Sequence, residues 1–344
     1  MSKRTRSGQL PYFEQGTPKA SFSLQKRDIE IIKAVYDHRF LDSGHLRALF
    51  QDTVNPPVVH GNHTGQVITK RLSKLYHHGF LDRPKEQIVF RVLGRGSRNL
   101  IYALGTRGAE ALADYYGMDF GKVSWQIGGK EGESRIFDID WEKKNSQVKS
   151  RHILHTLMIS NFRVCLELAL KHRPEIKLLF FKPREELKTE YLRVTTPTGK
   201  LRGVRVLPDG FFGLEFTQKP PPNKTFFFLE ADRSTMSNAT FYNKKVLGYY
   251  KYYQDRIQTQ RYGIKGFRVL IITKTSQREE NLRAKTKDFK PALKDRTLYW
   301  FTCEKNYNLE DPESILSEIW LIPKDDEARS ILPKDIGIRK KTKN

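Results

Sequence analysis

Gly65-Gln66-Val67-Ile68-Thr69-Lys70-Arg71-Leu72-Ser73-Lys74-Leu75-Tyr76-His77-His78-Gly79 is the stretch on which the fold turns. Ile68, Leu72 and Leu75 stand at i, i+4 and i+7, one apolar stripe along a helix from about Gly65 to His78. Gly79 stops it. Upstream, Leu24, Ile29, Ile31, Ile32 and Val35 follow a helical period behind a cap at Ser23. A short second helix follows Asp42 or Ser43 and puts Leu46, Leu49 and Phe50 on one face. Asn55-Pro56-Pro57, Gly61 and Gly65 break the chain before the third helix. Downstream, Phe80-Leu81 leads into two short strands around Arg95-Gly96. Helix, helix, helix, hairpin predicts a winged helix-turn-helix between Ser23 and about Tyr102.

The third helix divides its surface. Away from the apolar stripe lie Gln66, Thr69, Lys70, Arg71, Ser73, Lys74 and His77. Amides, hydroxyls and cations on an open helix face suit the major groove, where Gln meets adenine, Arg or Lys meets guanine, and other cations meet phosphates. The following hairpin, Val89 to Tyr102, has apolar arms and an Arg/Gly tip. Arg91, Arg95 and Arg98 are its candidate contacts to the minor groove or the backbone. Exposed Lys and Arg are often only solvated, and winged helices also dock proteins. The basic helix beside a basic tip favours DNA. His60, His63, His77 and His78 match no standard ligand spacing and have no cysteine nearby, so solvated or phosphate-facing side chains account for them better than a metal does.

Composition bounds the rest. The 344 residues suffice for two cores, and 62 Lys+Arg against 39 Asp+Glu give a net charge of +23. Residues 1–120 hold 18 Lys+Arg and 11 Asp+Glu, a net of +7, which leaves +16 for the remainder. A second nucleic-acid contact, through the C-terminal domain or the tail Arg339-Lys340-Lys341-Lys343, is therefore expected. Cys165 and Cys303 lie in apolar runs and read as buried free thiols of a reducing cytoplasm. No run of eighteen apolar residues occurs, and the N-terminus has no apolar h-region, so neither a membrane partner nor a signal peptide is expected.

The expected organisation is a basic disordered lead-in (1–22), a winged-helix DNA-binding domain (23–117), a connector (118–147), an α/β domain (148–323) and a basic tail (324–344). The connector is Gly-rich at Gly128-Gly129 and acidic at Asp138, Asp140 and Glu142. The α/β domain opens with a helix from about Val148 to His172. Strands follow at 176–181, 191–194, 204–207, 210–216 and 225–230, a helix at 238–258, a strand at 267–273, a helix at 277–288 and a strand at 297–303. The fold class is α+β, with a mixed sheet in the second domain.

Pro208-Asp209 opens one strand and Glu230-Ala231-Asp232 ends the next. Antiparallel pairing brings Asp209, Glu230 and Asp232 to one sheet end, where carboxylates could hold Mg²⁺ for phosphodiester cleavage. The arrangement resembles the PD-(D/E)xK nucleases, with Asp209 and Glu230 as the metal ligands. Asp232 stands where that pattern has lysine, and Lys245 on the next helix is the candidate relocated cation. Otherwise the acids pair with Arg233 or Lys245, or cap the helix that begins near Ser237. Clustered acids repel unless a cation sits among them, so a basic side chain is expected there, and no turnover. Phe241, Lys245 and Tyr249 at i+4 steps read as a face packed on the sheet, with the Lys stem snorkelling, rather than a base-stacking platform.

Across residues 24–275 the chain resembles the replication-relaxation proteins of bacterial plasmids and mobile elements. The likeness rests on Arg27-Asp28, Leu41–Phe50, Arg71-Leu72-Ser73-Lys74-Leu75, Gly79-Phe80-Leu81 and Tyr102-Ala103-Leu104-Gly105-Thr106-Arg107-Gly108. It continues with His155, Pro208-Asp209, the run Phe227 to Thr235, Lys245 and Tyr249-Tyr250. The resemblance implies a DNA-binding role in plasmid replication control, mobilisation or transcription, and makes Glu-x-Asp a usual feature of this site. The expected partner is double-stranded DNA, with a homodimer and plasmid replication or mobilisation proteins as further partners. No cofactor is expected; Mg²⁺ enters only under the alternative, an endonuclease or nickase.

Overall fold

The computed structural model describes residues 12–16, 22–51, 63–89, 99–116, 123–127, 130–134, 139–289, 297–334 and 336, the backbone alone at 63–64, 123–127 and 130–134. The chain forms two compact units, Met1–Asn161 and Phe162–Asn344.

The first unit runs α1 (Lys26–His38), β1 (Leu41–Asp42), α2 (Ser43–Phe50), α3 (His63–His77), β2 (Leu81–Asp82), β3 (Ile101–Leu104) and α4 (Thr106–Tyr115). Helix α1 starts later than Ser23: Gln25 caps it, and Asp28 closes a reciprocal capping box with the Gln25 backbone. Asp42 caps α2 by accepting from the Gly44 and His45 amides at 2.8 and 2.9 Å. Ile31, Ile32, Val35, Leu46, Ile68, Leu72 and Leu75 are fully buried, so the apolar stripe of α3 faces the core. The strands form a small antiparallel sheet in the order β1-β3-β2.

The expected hairpin arm and tip at 90–98 lie outside the described residues. The partner of β3 is β2, with Leu81 opposite Leu104, and the chain then enters a 3-10 turn at Lys85–Gln87. The Gln87 side chain donates to the Ile101 carbonyl and accepts from the Ile101 amide, both at 2.9 Å, satisfying main chain at the start of β3. Helix α4 begins hard against the preceding turn. A Cβ at Gly105 would lie 2.2 Å from the Gly79 carbonyl oxygen, and one at Gly108 would lie 2.1 Å from that of Phe80. Both positions need glycine for that approach.

The stretch read as a connector carries structure. Strands β4 (Val123–Ile127) and β5 (Lys130–Ser134) pair as a hairpin. Asp140 caps α5 (Trp141–Ser146) through the Lys143 amide at 2.8 Å. Buried Asn145 joins three segments: it accepts from Arg39 at 2.7 Å and donates to Asp82 at 2.8 Å and to the Leu104 carbonyl at 2.9 Å. The described part of the lead-in is also engaged, because Arg83 donates to the Tyr12 carbonyl at 2.9 Å and the Phe22 ring stacks on His78 at 4.6 Å. The Asn55-Pro56-Pro57 break, Gly61, Gly128-Gly129 and the basic tail from Arg339 lie outside the described residues.

Helix α6 (Ser150–Lys171) passes from one unit into the other. By length and composition it could cross a membrane: an 18-residue window has mean hydropathy 1.4. Protein covers 44% of that window, with Ile153 in the first core and Phe162 packed on Phe212 at 5.7 Å in the second. These are the contacts of a core helix.

In the second unit β6 (Ile176–Pro183), β9 (Gly210–Phe216), β10 (Lys224–Asp232), β11 (Arg268–Thr273) and β12 (Tyr299–Cys303) form a sheet ordered β12-β11-β10-β9-β6. The β6, β9 and β10 pairings are antiparallel, while β10, β11 and β12 run parallel, so the sheet is mixed as expected. The strands that follow α6 do not all share this sheet: β7 (Glu190–Thr195) and β8 (Leu201–Val206) form a separate two-stranded ribbon. Phe162, Phe212 and Phe227 pack on one face of the sheet. Phe228 on the other face meets α7 (238–254), whose middle, Tyr242–Val246, is a π-helical turn. Helices α8 (Ile257–Tyr262) and α9 (Ser276–Lys287) complete the unit.

Candidate nucleic-acid interface and carboxylate cluster

Helix α3 presents Gln66, Val67, Thr69, Lys70 and Lys74 to solvent, with Ser73 half-buried among them. Their helical positions share one side, opposite Ile68, Leu72 and Leu75. Lys70 and Lys74 make no ion pair among the described residues. Thr69 bonds back to the Gly65 carbonyl at 2.7 Å.

Arg71 and His77 stand apart from this face. Arg71 donates Nε to Asp28 Oδ1 at 2.6 Å, a second short bond from its terminal nitrogen to Oδ2, and a third to the Ser23 carbonyl at 3.0 Å. Its guanidinium lies 4.2 Å from the Phe22 ring centre. Asp28 is wholly buried, so Arg71 is the neutralising partner of an interior carboxylate and joins α3 to α1. His77 is buried and accepts from the Gly16 amide at 3.0 Å through Nδ1. Burial, reinforced by the charges of Arg83 and His78, lowers its pKa to about 4, leaving a neutral imidazole. It is thus neither solvated nor phosphate-facing. His78 is shifted downward too, chiefly by burial, with Arg107 and Lys74 adding to the effect. Arg91, Arg95, Arg98 and His60 lie outside the described residues, as does the His63 side chain.

At one end of the second unit's sheet, Leu229 pairs with Gly210, which sets Asp209 opposite Glu230. The Asp209 amide bonds to the Leu229 carbonyl at 2.9 Å, and Asp209 Oδ2 accepts from the Ala231 amide at 3.0 Å. The other oxygen, Oδ1, accepts from Arg184 at 2.7 Å. Glu230 receives the Lys245 ammonium at 2.6 Å and the Tyr249 hydroxyl at 2.5 Å. Asp232 is held by both ends of the Arg278 guanidinium at 2.8 and 3.0 Å and by the Ser234 amide at 2.8 Å. All three acids are buried.

The electrostatics follow from that burial. Desolvation raises the Glu230 pKa; Lys245 and Tyr249 oppose the rise and the Asp209 charge adds to it. Burial and the neighbouring Glu230 carboxylate hold the Tyr249 hydroxyl well above its ordinary value. Asp209 and Glu230 come side by side as expected, and Lys245 reaches Glu230 from the π-helical turn. Arg233 does not serve Asp232; the charge acting on it is Glu304. Ser237 caps α7 by accepting from the Thr240 amide at 3.2 Å.

Both oxygens of Asp209 and both of Glu230 accept from protein donors, two of them the cations Arg184 and Lys245, which neutralise the acids in this arrangement. Among the described residues no group of three or more His, Cys, Asp or Glu is placed to hold a metal ion. Phe241 and Tyr249 are buried in the core, and the Lys245 side chain lies mostly under cover.

Sequence reasoning missed Arg184, Arg278 and the role of Tyr249. Arg184 follows the end of β6, where Pro183 pairs with Gly210, and Arg278 lies just past β11, whose Thr273 pairs with Asp232. Each is brought in by strand register, which no local pattern encodes. Tyr249 was legible, one helical turn beyond Lys245.

The fold and site define an α+β protein with a compact helix-and-strand unit and a mixed-sheet unit whose strand-end acids are neutralised by basic side chains. Residues 32–267, more than half of the chain, match the replication-relaxation family, and the protein belongs to that family. Comparison with curated proteins and with solved structures gives no match.

Proposed function

We propose that the first unit is a winged helix that binds double-stranded DNA through α3, and that the protein acts in replication control or mobilisation of a bacterial plasmid or mobile element. The observation that carries this reading is the exposed face of α3: Gln66, Thr69, Lys70 and Lys74 lie outward together, with both lysines unpaired among the described residues. The element order α1-β1-α2-α3-β2-β3 and the small antiparallel sheet support it, because this is the plan that offers a third helix to the major groove. Family membership supports the setting. Arg71 and His77 belong to the frame that holds α3, and the reading face is Gln66, Thr69, Lys70 and Lys74. Cys165 and Cys303, both buried free thiols, support a cytoplasmic location.

The second unit acts as a nuclease-like scaffold without turnover, its sheet end locked by Arg184, Lys245 and Arg278. The test is footprinting and duplex binding on the DNA flanking the protein's own gene. Lys70→Glu/Lys74→Glu should abolish protection while leaving the melting temperature unchanged. Wild-type affinity in that variant would remove α3 as the DNA contact.

A further inference from the structure

The β7–β8 ribbon is a strongly basic, exposed element of the second unit that the site above leaves unused. Between Lys188 and Val206 stand five cations, Lys188, Arg193, Lys200, Arg202 and Arg205, against a single acid, Glu190. That acid is already taken by Arg261. All five cations are exposed, and none makes an ion pair among the described residues.

Register sorts the ribbon into two faces. Tyr191 pairs with Arg205, Arg193 with Gly203 and Thr195 with Leu201, so these six residues share one face. All six are exposed, Tyr191 at 79% and Leu201 at 62%. The opposite face carries Val194, Val204 and Val206, which are buried in the core with α7, and exposed Arg202 near the turn, paired with Val194. Gly248 permits that docking: a Cβ there would lie 2.9 Å from Val206. The ribbon is therefore anchored on one side and open on the other. No acid stands on the open face.

Shape decides between polyanions. Two strands about 5 Å apart, widened by side chains to about 10 Å, fit a major groove about 12 Å wide. Strands of six residues reach about 20 Å at ~3.3 Å per residue, a little over half a helical turn of duplex. The Arg pair on the open face and the cations at the ribbon's turn would meet phosphates on the groove walls, with Tyr191 between them. Contacts from these cations to phosphates on the groove walls fix position and carry no sequence information directly.

We propose that the outer face of the β7–β8 ribbon is a second, sequence-independent contact for duplex DNA. The proposal rests on the reading of this protein as a DNA binder and assigns part of the C-terminal charge excess to a defined surface.

The experiment uses the full-length chain and a random-sequence duplex of about 30 base pairs, titrated at several salt concentrations. Arg193→Gln/Lys200→Gln/Arg205→Gln should weaken binding at low salt by at least tenfold. It should also flatten the fall of log K with log salt by about 0.9 for each phosphate no longer neutralised. Lys70→Glu/Lys74→Glu, run in parallel, tests α3 separately. If the ribbon variant keeps wild-type affinity and slope while the α3 variant loses binding, the ribbon proposal is overturned and the α3 reading stands. If the ribbon variant is weakened and the α3 variant is not, the ribbon stands and the α3 reading falls. Ribbon-dependent binding to phosphatidylserine vesicles, without any effect on duplex binding, would overturn the proposal in favour of an anionic membrane surface.

Discussion

Arg71→Ala separates a structural arginine from a DNA-reading one. In the folded protein Arg71 gives two charge-assisted bonds to Asp28, which is 0% exposed, and its guanidinium packs on Phe22. After the change, Asp28 keeps among the described residues only the Gln25 amide at 2.7 Å. Stranding one member of a buried ion pair costs about 3–5 kcal/mol. The local opening free energy of α1 and α3 should fall by that amount, and their amides should exchange roughly 10²- to 10⁴-fold faster. Hydrogen exchange on the full chain suits the question, because global unfolding of two units need not be two-state. In an Asp28→Asn background no charge is stranded, so Arg71→Ala should cost only about 1 kcal/mol. Duplex affinity, measured where the variant remains folded, should stay within about threefold of wild type. Unchanged exchange together with a large loss of affinity would refute the argument and restore Arg71 to the DNA-facing set.

The remaining predictions concern other buried groups. Lys245→Met strands Glu230 and should destabilise the second unit by about 3–5 kcal/mol, whereas Tyr249→Phe removes one hydrogen bond and should cost about 1–2 kcal/mol; equal effects would refute the ranking. His77 is neutral when folded, with a pKa lowered to about 4 from an ordinary 6.5. Its contribution is therefore present above pH 6.5 and lost as pH falls through 4, amounting to about 2–3 kcal/mol. His77→Gln should flatten the melting-temperature profile across that window, and an unchanged profile would count against the buried neutral ring. Leu72→Ala should cost about 2–5 kcal/mol of stability without a charge effect on DNA binding. Supercoiled plasmid incubated with Mg²⁺ or Mn²⁺ should not be nicked, and nicking that disappears in Asp209→Ala would replace the scaffold reading with a nuclease.

Much of the architecture was legible because burial leaves a period. Ile68, Leu72 and Leu75 announced α3, and Phe226-Phe227-Phe228-Leu229 announced a central strand. Gly210–Phe216 falls at the residues expected, and Pro208-Asp209 opposite Glu230 follows from antiparallel pairing of neighbouring strands. Local pattern failed at β2, whose two residues are too few to show a strand period. It failed again at β7 and β8. Their alternation is sound, but nothing in it says which strands share a sheet.

The sequence by itself determined α1, α2, α3 and the long α6, the mixed sheet, the excess of positive charge and the family to which the chain belongs. These depend on residue type and on spacing along a few turns or one strand. Only the tertiary structure decided what each charge does. Lys70, Arg71 and Lys74 look alike in sequence, yet Arg71 alone meets an interior carboxylate, because Asp28 sits on α1 a long way off in the chain. Asp232 looked like a lost lysine until the parallel register of β10 and β11 brought Arg278 to it. A cation's role depends on the field of its neighbours, and those neighbours are set by packing between distant segments rather than by the residues beside it.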